Sequence, residues 1–342
     1  MSENMGDAQG QSNHSQTFDS VTRFNVKFDA GDTSRSKVLY GNGRMQVKVQ
    51  VVVSGADING NAVHVPSEVM NSIELIHYGT GKRLRDGWSA NTEQGRFTLE
   101  AQTSFAPMVA SDDDADEDAV HPQVRSFWVS SATPGTTQIA ARLTLGGITI
   151  RSNGSSLSSV HDSSVTLEAQ QPLAYSIEQF RWVPVRRGNE EPGNRIWNHY
   201  LGLYPQGQQT RLVDWIADGV ADDGYFVSGN KLREKQTNYL EGILIRPEKS
   251  EVAVSLPYNG SVLAYRHYAD AITSDSKYYK VRVNDRDGEL TVVQAMSEYS
   301  TLSPASRQGG VFHFRAIDQY GTEHKLAIHT VFSRLTLTVE RG

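Results

Sequence analysis

The chain has 342 residues, of which 38% are hydrophobic and 9% aromatic, so it holds enough apolar side chains for two or three folded domains and is not disordered throughout. Its 33 basic and 39 acidic residues give a net charge of -6 spread along the chain, which argues against a nucleic-acid partner because such proteins concentrate Lys and Arg on one face. The absence of cysteine excludes disulfides, thiol nucleophiles and Cys-ligated metals.

Residues 1–20 are rich in Ser, Asn, Gln, Gly and Asp, which predicts a disordered tail. The start of the sequence lacks the basic and apolar regions of a secretory signal, and no run approaches the 18 apolar residues that a membrane span requires. We therefore expect no membrane span and synthesis in the cytoplasm. The sequence leaves two alternatives for its final location: export by a route that does not use such a signal, or incorporation in a particle.

From residue 21 the sequence changes to short alternating strands separated by Gly- and Asn-rich turns. One turn reads Asp-x-x-Gly at residues 57–60, and the same pattern recurs at residues 318–321. Alternation at period two buries one face of a strand, while Asp, Asn and Gly supply the turn conformations of a hairpin. This pattern predicts an immunoglobulin-like β-sandwich over residues 21–107.

The one block of like charge covers residues 112–118, where six of seven side chains are acidic. Such a run repels itself and has no apolar face, so residues 108–121 are predicted to form an extended acidic linker. A calcium site is the alternative interpretation, because hard cations bind clustered carboxylates. The block lacks the glycine turn and the distal Glu of a calcium loop, and we expect no metal there.

A second series of strands follows, with a two-glycine hairpin at Gly146 and Gly147. It predicts a small immunoglobulin-like sandwich over residues 122–172. Residues 173–342 are predicted to form a larger, aromatic-rich C-terminal β-sandwich domain. The expected fold class is therefore all-β, with tandem β-sandwich domains.

No enzymatic motif was found in the sequence, and no catalytic residue is predicted. The Gly-x-Ser-x-Gly elbow, the His-Glu-x-x-His helix and the phosphate-binding glycine loops are all absent. Residues 284–288 resemble a metal loop but lack the flanking acids, which favours a hairpin turn. The ten histidines are scattered without zinc-site spacing. We expect no cofactor, no metal and no enzyme.

The aromatic side chains of residues 195–226 form the candidate ligand-binding set. Aromatic rings near the acids of this region could stack on sugar rings, whereas the same rings are also explained by core packing. The candidate glycan-binding residues are Trp197, Tyr200, Tyr204, Trp215 and Tyr225.

One stretch carries a family resemblance. Residues 38–51 read VLYGNGRMQVKVQV and residues 56–63 read ADINGNAV. This glycine–strand–turn pattern resembles bacterial immunoglobulin-like domains of the invasin and intimin type, over residues 22–105 and more faintly over 122–171. Such domains also occur in phage virion and tail proteins. The resemblance implies tandem sandwiches that act by adhesion or assembly.

The sequence thus predicts a non-catalytic structural or adhesive component of a bacterial surface, filament or phage-like particle. Its expected partners are other protein subunits, including further copies of itself. The alternative is a glycan-binding protein or secreted toxin that uses the aromatic set on a cell-surface glycan. Residues 335–339 are the candidate edge strand, either docking onto a neighbouring subunit or closing the sheet of their own domain.

Overall fold

The computed structural model describes residues 17–29, 33–98, 121–155, 161–234, 237–261, 272–301, 310–331 and 336–342. The chain divides into two compact units, residues 1–171 and 172–342. The regular secondary structure of the described residues is almost entirely β-strand in both units, which confirms the all-β prediction. The described part of the chain has no helix long and apolar enough to cross a membrane.

The described part of the first unit contains ten strands and one short helix, α1 (Ser67–Asn71). The strands are β1 (Ser20–Lys27), β2 (Ser36–Tyr40), β3 (Val47–Ala56), β4 (Ala62–Val63), β5 (Glu74–His77), β6 (Trp88–Asn91), β7 (Gln123–Ser131), β8 (Gly135–Leu145), β9 (Ile148–Arg151) and β10 (Val165–Gln170). One sheet has the order β1-β3-β7-β6, with β4 beside β3. The other has the order β2-β10-β8-β5, with β9 beside β8.

The two sheets of the first unit pack as a sandwich because one side of each carries β-branched and aromatic residues. Val47, Val49 and Val51 of β3 are buried at alternate positions, as are Phe24 and Val26 of β1. The second sheet contributes further fully buried side chains: Ile139, Ala141, Leu143 and Leu167. A hydrogen bond from the Val26 N–H to Ser163 Oγ, at 2.9 Å, links β1 to the segment before β10.

The strand pairing differs from the two sandwiches expected at residues 21–107 and 122–172. Strand β3 pairs with β7, β5 pairs with β8, and β2 pairs in parallel with β10, so both segments share the same two sheets. The first unit is one sandwich. Local periodicity gives each strand but does not reveal which distant strand completes its sheet.

Most of the expected linker and tail lies outside the described residues. Residues 112–118 and 1–16 belong to those parts, and the linker and disorder predictions for them stay predictions. Residues 17–20 differ from the expected tail because Ser20 begins β1 and the Asp19 N–H donates to the Ala56 carbonyl at 2.9 Å. The ordered part of the first unit therefore begins before residue 21.

In the second unit, the described residues form thirteen strands and two 3-10 turns, Ile177–Gln179 and Pro205–Gly207. The strands are β11 (Phe180–Arg186), β12 (Asn194–Leu203), β13 (Leu212–Ile216), β14 (Gly224–Glu234), β15 (Thr237–Leu244), β16 (Glu251–Pro257), β17 (Ile272–Thr273), β18 (Ser276–Arg282), β19 (Leu290–Ser297), β20 (Ser300–Thr301), β21 (Val311–Asp318), β22 (Glu323–Val331) and β23 (Thr336–Arg341).

These strands form a central sheet with a layer on each face. The central sheet has the order β11-β12-β19-β15-β14, a four-stranded sheet has the order β13-β21-β22-β23, and β16 pairs with β18 as a two-stranded ribbon. One apolar core, with Trp215, Leu201 and Ile328, joins the central sheet to the four-stranded sheet. A second core, with Ile243 and Val254, joins its other face to the ribbon.

Strand β23 closes the sheet of its own unit. It pairs antiparallel with β22 from Thr336 to Arg341, and the Trp182 indole donates to the Leu337 carbonyl at 3.1 Å. Of the two roles expected for residues 335–339, closure of the domain's own sheet is the one observed for Thr336 onwards; Leu335 lies outside the described residues.

The two Asp-x-x-Gly turns have the same hydrogen-bond pattern in both units. Asp57 Oδ1 accepts the backbone N–H groups of Asn59 and Asn61 at 2.9 and 2.8 Å. Asp318 Oδ1 accepts those of Tyr320 and Thr322, both at 2.9 Å. Gly60, with a φ of 85°, completes the first turn, and Gly321, with a φ of 77°, completes the second. Glycine adopts such a positive φ without steric cost.

Removing either turn carboxylate should destabilise its own unit. We expect Asp57→Ala to lower the first unit's melting temperature by about 3–6 °C, since two backbone donors lose their acceptor. Asp318→Ala should lower the melting temperature of the second unit by at least as much, because His324, 3.0 Å from Asp318 Oδ2, also loses its partner. Scanning calorimetry of the full chain measures both.

The matched control is Ile58→Ala in the first turn, where the side chain is 83% exposed and removal should change neither transition. An Asp57→Ala protein that melts like the unmodified chain would show that the backbone alone specifies this turn.

Candidate functional site

Two of the five predicted aromatic residues are buried in the second unit. Trp215 is 0% exposed, its indole N–H donates to the Ile245 carbonyl at 2.8 Å, and the Arg246 guanidinium lies 3.8 Å from the ring centre. Tyr200 is 2% exposed. Neither ring offers a face to a ligand, which corrects their assignment as sugar-stacking residues. Large aromatic rings carry much of the burial energy of small β-domains.

The Tyr200 hydroxyl is the centre of a polar cluster. It donates to Asp285 Oδ1 at 2.7 Å and accepts from the Arg187 guanidinium at 2.6 Å. Burial raises the pKa of this phenol, and the bond to Asp285 raises it further. The cluster connects the central sheet to the loop between β18 and β19, so its role is structural.

Trp197 and Tyr204 are partly buried and already covered by arginines. The Arg186 guanidinium lies 5.8 Å from the Trp197 ring, and that of Arg181 lies 4.1 Å from the Tyr204 ring. The Tyr204 hydroxyl donates to Glu289 at 2.6 Å. Tyr225 is 42% exposed and lies elsewhere in the unit. The five predicted aromatic residues therefore do not form one ligand surface.

Tyr225 lies in a groove of about 540 Å³ between the β14–β15 end of the central sheet and the outer side of the ribbon. We call it the Tyr225 groove. Its lining includes Tyr225, Tyr239, Glu241, Ser255, Asp275 and Ser276. Two aromatic rings, two carboxylates and several hydroxyl groups therefore surround one space.

Strand register places the carboxylate of Glu241 between the two rings. Tyr239 and Glu241 are two apart on β15 and share a face of the sheet. Tyr225 on β14 is opposite Ile243, the next residue of that face, and an irregularity in the pairing between Tyr225 and Val227 lies before Ser228, which is opposite Glu241. The sheet itself thus fixes the arrangement.

The electrostatics of the Tyr225 groove centre on the partly buried carboxyl group of Glu241. Burial raises the pKa of Glu241 to about 7, and the hydrogen bond from Tyr239 only partly offsets this. Burial also raises the pKa of Tyr225, and the neighbouring Glu241 adds to that rise. The described lining contains no Lys or Arg.

Sequence reasoning missed Glu241 and Tyr239 because the aromatic window ended at residue 226. The signal was present: Tyr239, Glu241 and Ile243 alternate along one strand, which puts a carboxylate on the face that also carries a core residue. A charge on the apolar face of a strand is a useful indicator of a functional or strained position.

A second candidate surface lies in the first unit, between the edge strands β5 and β6. This β5–β6 cleft holds about 410 Å³, and its described lining combines apolar side chains with polar ones and two arginines. Its lining includes Leu75, Leu84, Trp88, Phe127, Arg83 and Arg125. The nearby acid Glu74 is already paired with Arg142 at 2.6 Å. Among the described lining residues, two arginines and one glutamate, the charge is therefore net positive.

The described residues contain no group of three or more His, Cys, Asp and Glu placed to hold a metal ion. Residues 284–288 connect β18 to β19 and do not close a hairpin, because β18 pairs with β16 whereas β19 pairs with β12 and β15. The predicted turn is thus a crossover between layers. Asn284 Nδ2 fixes it by donating to the Arg246 and Lys249 carbonyls, both at 2.8 Å.

No protein-family model matches the sequence, and no curated protein matches it. Among solved structures, the chain is similar to the Yersinia pseudotuberculosis adhesin InvE, with 10% identity over 89% of this chain and 57% of that one and a TM-score of 0.18. It is also similar to domains 4–9 of the surface layer protein SbsC, with 9% identity, 95% and 31% coverage and a TM-score of 0.20.

A third similar structure is the C-terminal domain of the Streptococcus pyogenes antigen I/II-family protein AspA, with 8% identity, 93% and 99% coverage and a TM-score of 0.18. The chain spans 57% and 31% of the lengths of the first two structures. These neighbours are bacterial surface proteins, but TM-scores of 0.18–0.20 are too low to support an argument about function.

The raised pKa of Glu241 predicts a pH-dependent stability of the second unit. Below about pH 4.5 the group is protonated in both states; as the pH rises to about 7 the unfolded chain ionises first, so the unfolding free energy falls. We expect Glu241→Gln to stabilise the second unit at pH 8 by about 1–2 kcal/mol and to have little effect at pH 4. Denaturant unfolding at both pH values measures this.

Glu251→Gln is the matched control, because the Glu251 side chain is 54% exposed in its 3.7 Å pair with Lys280. Equal stability of the Glu241→Gln protein and the unmodified chain at pH 8 would mean that the carboxylate is well solvated.

Proposed function

We propose that this protein is a non-catalytic adhesive or structural component of a bacterial surface, filament or phage-like particle, and that its first unit binds an extended segment of a partner protein. The observation that supports the proposal is the β5–β6 cleft, where the borders of both sheets meet beside a lining of mixed apolar and polar side chains. The bacterial or phage setting follows from the resemblance of residues 22–105 to invasin-type domains.

The cleft suits an extended peptide because edge strands offer backbone donors and acceptors. Strand β6 pairs only with β7 among the described strands, and β5 pairs with β8 on one side, with a single bridge from Ile76 to Arg83 on the other. Peptides that bind sheet edges gain affinity from main-chain hydrogen bonds and specificity from pockets for alternate side chains. The apolar lining supplies such pockets.

The charge of the cleft border indicates the composition of the segment. Arg83 and Arg125 belong to the cleft lining, and the one carboxylate of the described lining, Glu74, is paired with Arg142. An arginine near a bound acidic side chain favours it by charge-assisted hydrogen bonding. The segment should therefore alternate apolar residues with Asp or Glu.

The glycan alternative draws less support. It depended on the aromatic set of residues 195–226, and two of those five rings, Trp215 and Tyr200, are buried. A sugar-stacking ring needs an exposed face, which only Tyr225 of that set offers to a substantial extent.

A display library of ten-residue peptides, selected with the labelled full-length protein, tests the proposal. We expect the selected peptides to be enriched in acidic residues alternating with apolar ones. Arg83→Glu should lower the affinity of the best peptide at least tenfold, because one attractive charge becomes repulsive. Titration calorimetry provides the dissociation constants.

Lys82→Glu makes the same charge change one residue away, on an exposed side chain outside the cleft lining, and should alter affinity less than twofold. Selection of peptides without acidic enrichment, or equal affinities for the two variants, would contradict the proposal.

A further inference from the structure

We propose that the β5–β6 cleft binds residues 105–118 of a second copy of this chain, so that copies join head to tail. This inference rests on the proposed function, because it names the partner of the same cleft. The feature behind it is a lining that combines apolar side chains with two arginines, in a chain whose own sequence contains an apolar run followed directly by an acidic one.

The first step is the composition of this segment, which consists of two consecutive blocks. Residues 105–110 read FAPMVA and are all nonpolar, and residues 112–118 read DDDADED and carry six carboxylates. The segment belongs to residues 99–120, which lie outside the described part of the chain. Its sequence offers an apolar part and a strongly anionic part side by side.

The second step is that the acidic block accounts for the whole net charge of the chain. Removing its six acids from the total of 39 leaves 33 acidic residues, equal to the 33 basic ones, whereas the full chain has a net charge of -6. Copies of like charge repel one another. A contact that places this block on a basic surface of the next copy turns that repulsion into attraction.

The third step is that the arginines of the cleft have no described carboxylate partner. Arg83 is exposed, and its guanidinium forms no ion pair or hydrogen bond with a described residue. The Arg125 guanidinium donates to the Met70 carbonyl and, at 3.3 Å, to Asn71 Oδ1, which are both uncharged. Both arginines therefore keep a positive charge that an acidic side chain of the segment can pair with.

The fourth step is that apolar and cationic groups lie next to each other in the cleft. Arg125 and Phe127 are two apart on β7 and share a face, and the guanidinium lies 5.4 Å from the ring centre. Trp88 and Leu75 extend the apolar part of the lining. The segment passes from apolar Ala110 to acidic residue 112 over a similarly short distance, so its two blocks match the two parts of the cleft.

The fifth step is reach. The 22 residues from 99 to 120 connect Thr98 to His121. A chain of that length spans about 75 Å when extended, so a loop that leaves the unit and returns can project about 35 Å. This is enough to contact a neighbouring copy. A contact of one copy's segment with the next copy's cleft is heterologous, and such contacts build rings or filaments, which suits a structural component.

The test uses two full-chain variants that each remove one half of the contact. Arg83→Glu disables the cleft, and a donor-defective variant carries Asn at four acidic positions, namely Asp112, Asp113, Asp114 and Asp116. We expect the unmodified chain to associate with rising concentration in about 50 mM salt and less so in 500 mM salt, because salt screens the ion pairs. Each variant alone should be monomeric by sedimentation velocity.

An equimolar mixture of the two variants should form a one-to-one dimer, because it contains one intact segment and one intact cleft. Lys82→Glu is the matched control and should associate like the unmodified chain, since Lys82 is exposed and outside the described cleft lining. Scanning calorimetry verifies that each variant is folded.

A labelled peptide of residues 104–119 provides a second measurement, independent of assembly. Titrated into the donor-defective variant and followed by fluorescence anisotropy, it should bind at least tenfold more tightly than the same peptide with Asn at all six acidic positions. Adding Arg83→Glu to the donor-defective variant should lower the affinity at least tenfold.

A monomeric unmodified chain would overturn the inference, as would a mixture without dimer or a peptide that binds equally well after Arg83→Glu. Library peptides that depend on Arg83, together with a 104–119 peptide that does not bind, would refute this inference and leave the proposed function intact. Loss of Arg83 dependence in both assays would refute both.

Discussion

Burial of both faces of the central sheet is the constraint on which the second unit depends. All eight residues of β19 are buried, since strands flank it on both sides and a layer covers each face. Its polar residues must then find partners inside the protein. Gln294 Oε1 lies 2.8 Å from His199 Nε2, and the Ser297 hydroxyl donates to the Pro257 carbonyl at 2.8 Å. These bonds cross to neighbouring strands and fix the layers in register.

The same requirement explains where the groove opens. Hydrogen bonds hold the ribbon over the β12 side of the central sheet: Asn194 Nδ2 donates to the Tyr279 hydroxyl at 2.8 Å, and Asn198 Nδ2 to the Arg282 carbonyl at 2.9 Å. The ribbon is two strands wide, whereas the sheet beneath it has five. Among the described elements, coverage by the ribbon therefore ends at the β14–β15 side, where Glu241 is partly exposed.

Local sequence patterns predicted the strands and the turns, because alternation and Asp-x-x-Gly chemistry act over a few residues. They did not predict that β2 pairs with β10 or that β3 pairs with β7, because the residues of one strand do not specify which distant strand it pairs with. For the site, composition highlighted Tyr225 together with Trp215, and only the fold separates an exposed ring from a buried one. Glu241 gave a weaker signal, a single charge within an apolar alternation.

Edge protection also differs among the strands in a way that composition hides. Strand β11 borders the central sheet and contains Pro184, which has no N–H to offer another chain. Strand β6 carries no proline and is four residues long. Pro184 thus opposes the addition of another strand at β11. At β6, only the short length of the strand limits such addition.

The parallel pair of β2 and β10 has a consequence for biosynthesis. Ser36 of β2 lies opposite Thr166 of β10, 130 residues later in the chain. Strand β2 therefore cannot form this pair until those residues have been synthesised. On the ribosome the first half of the sandwich must remain incomplete, with the apolar face of β3 uncovered, until β7 to β10 have emerged. Contacts this distant in sequence slow folding and expose nascent strands to wrong pairing. A chaperone that shields the nascent first unit would therefore affect the yield of this protein more than one acting after release.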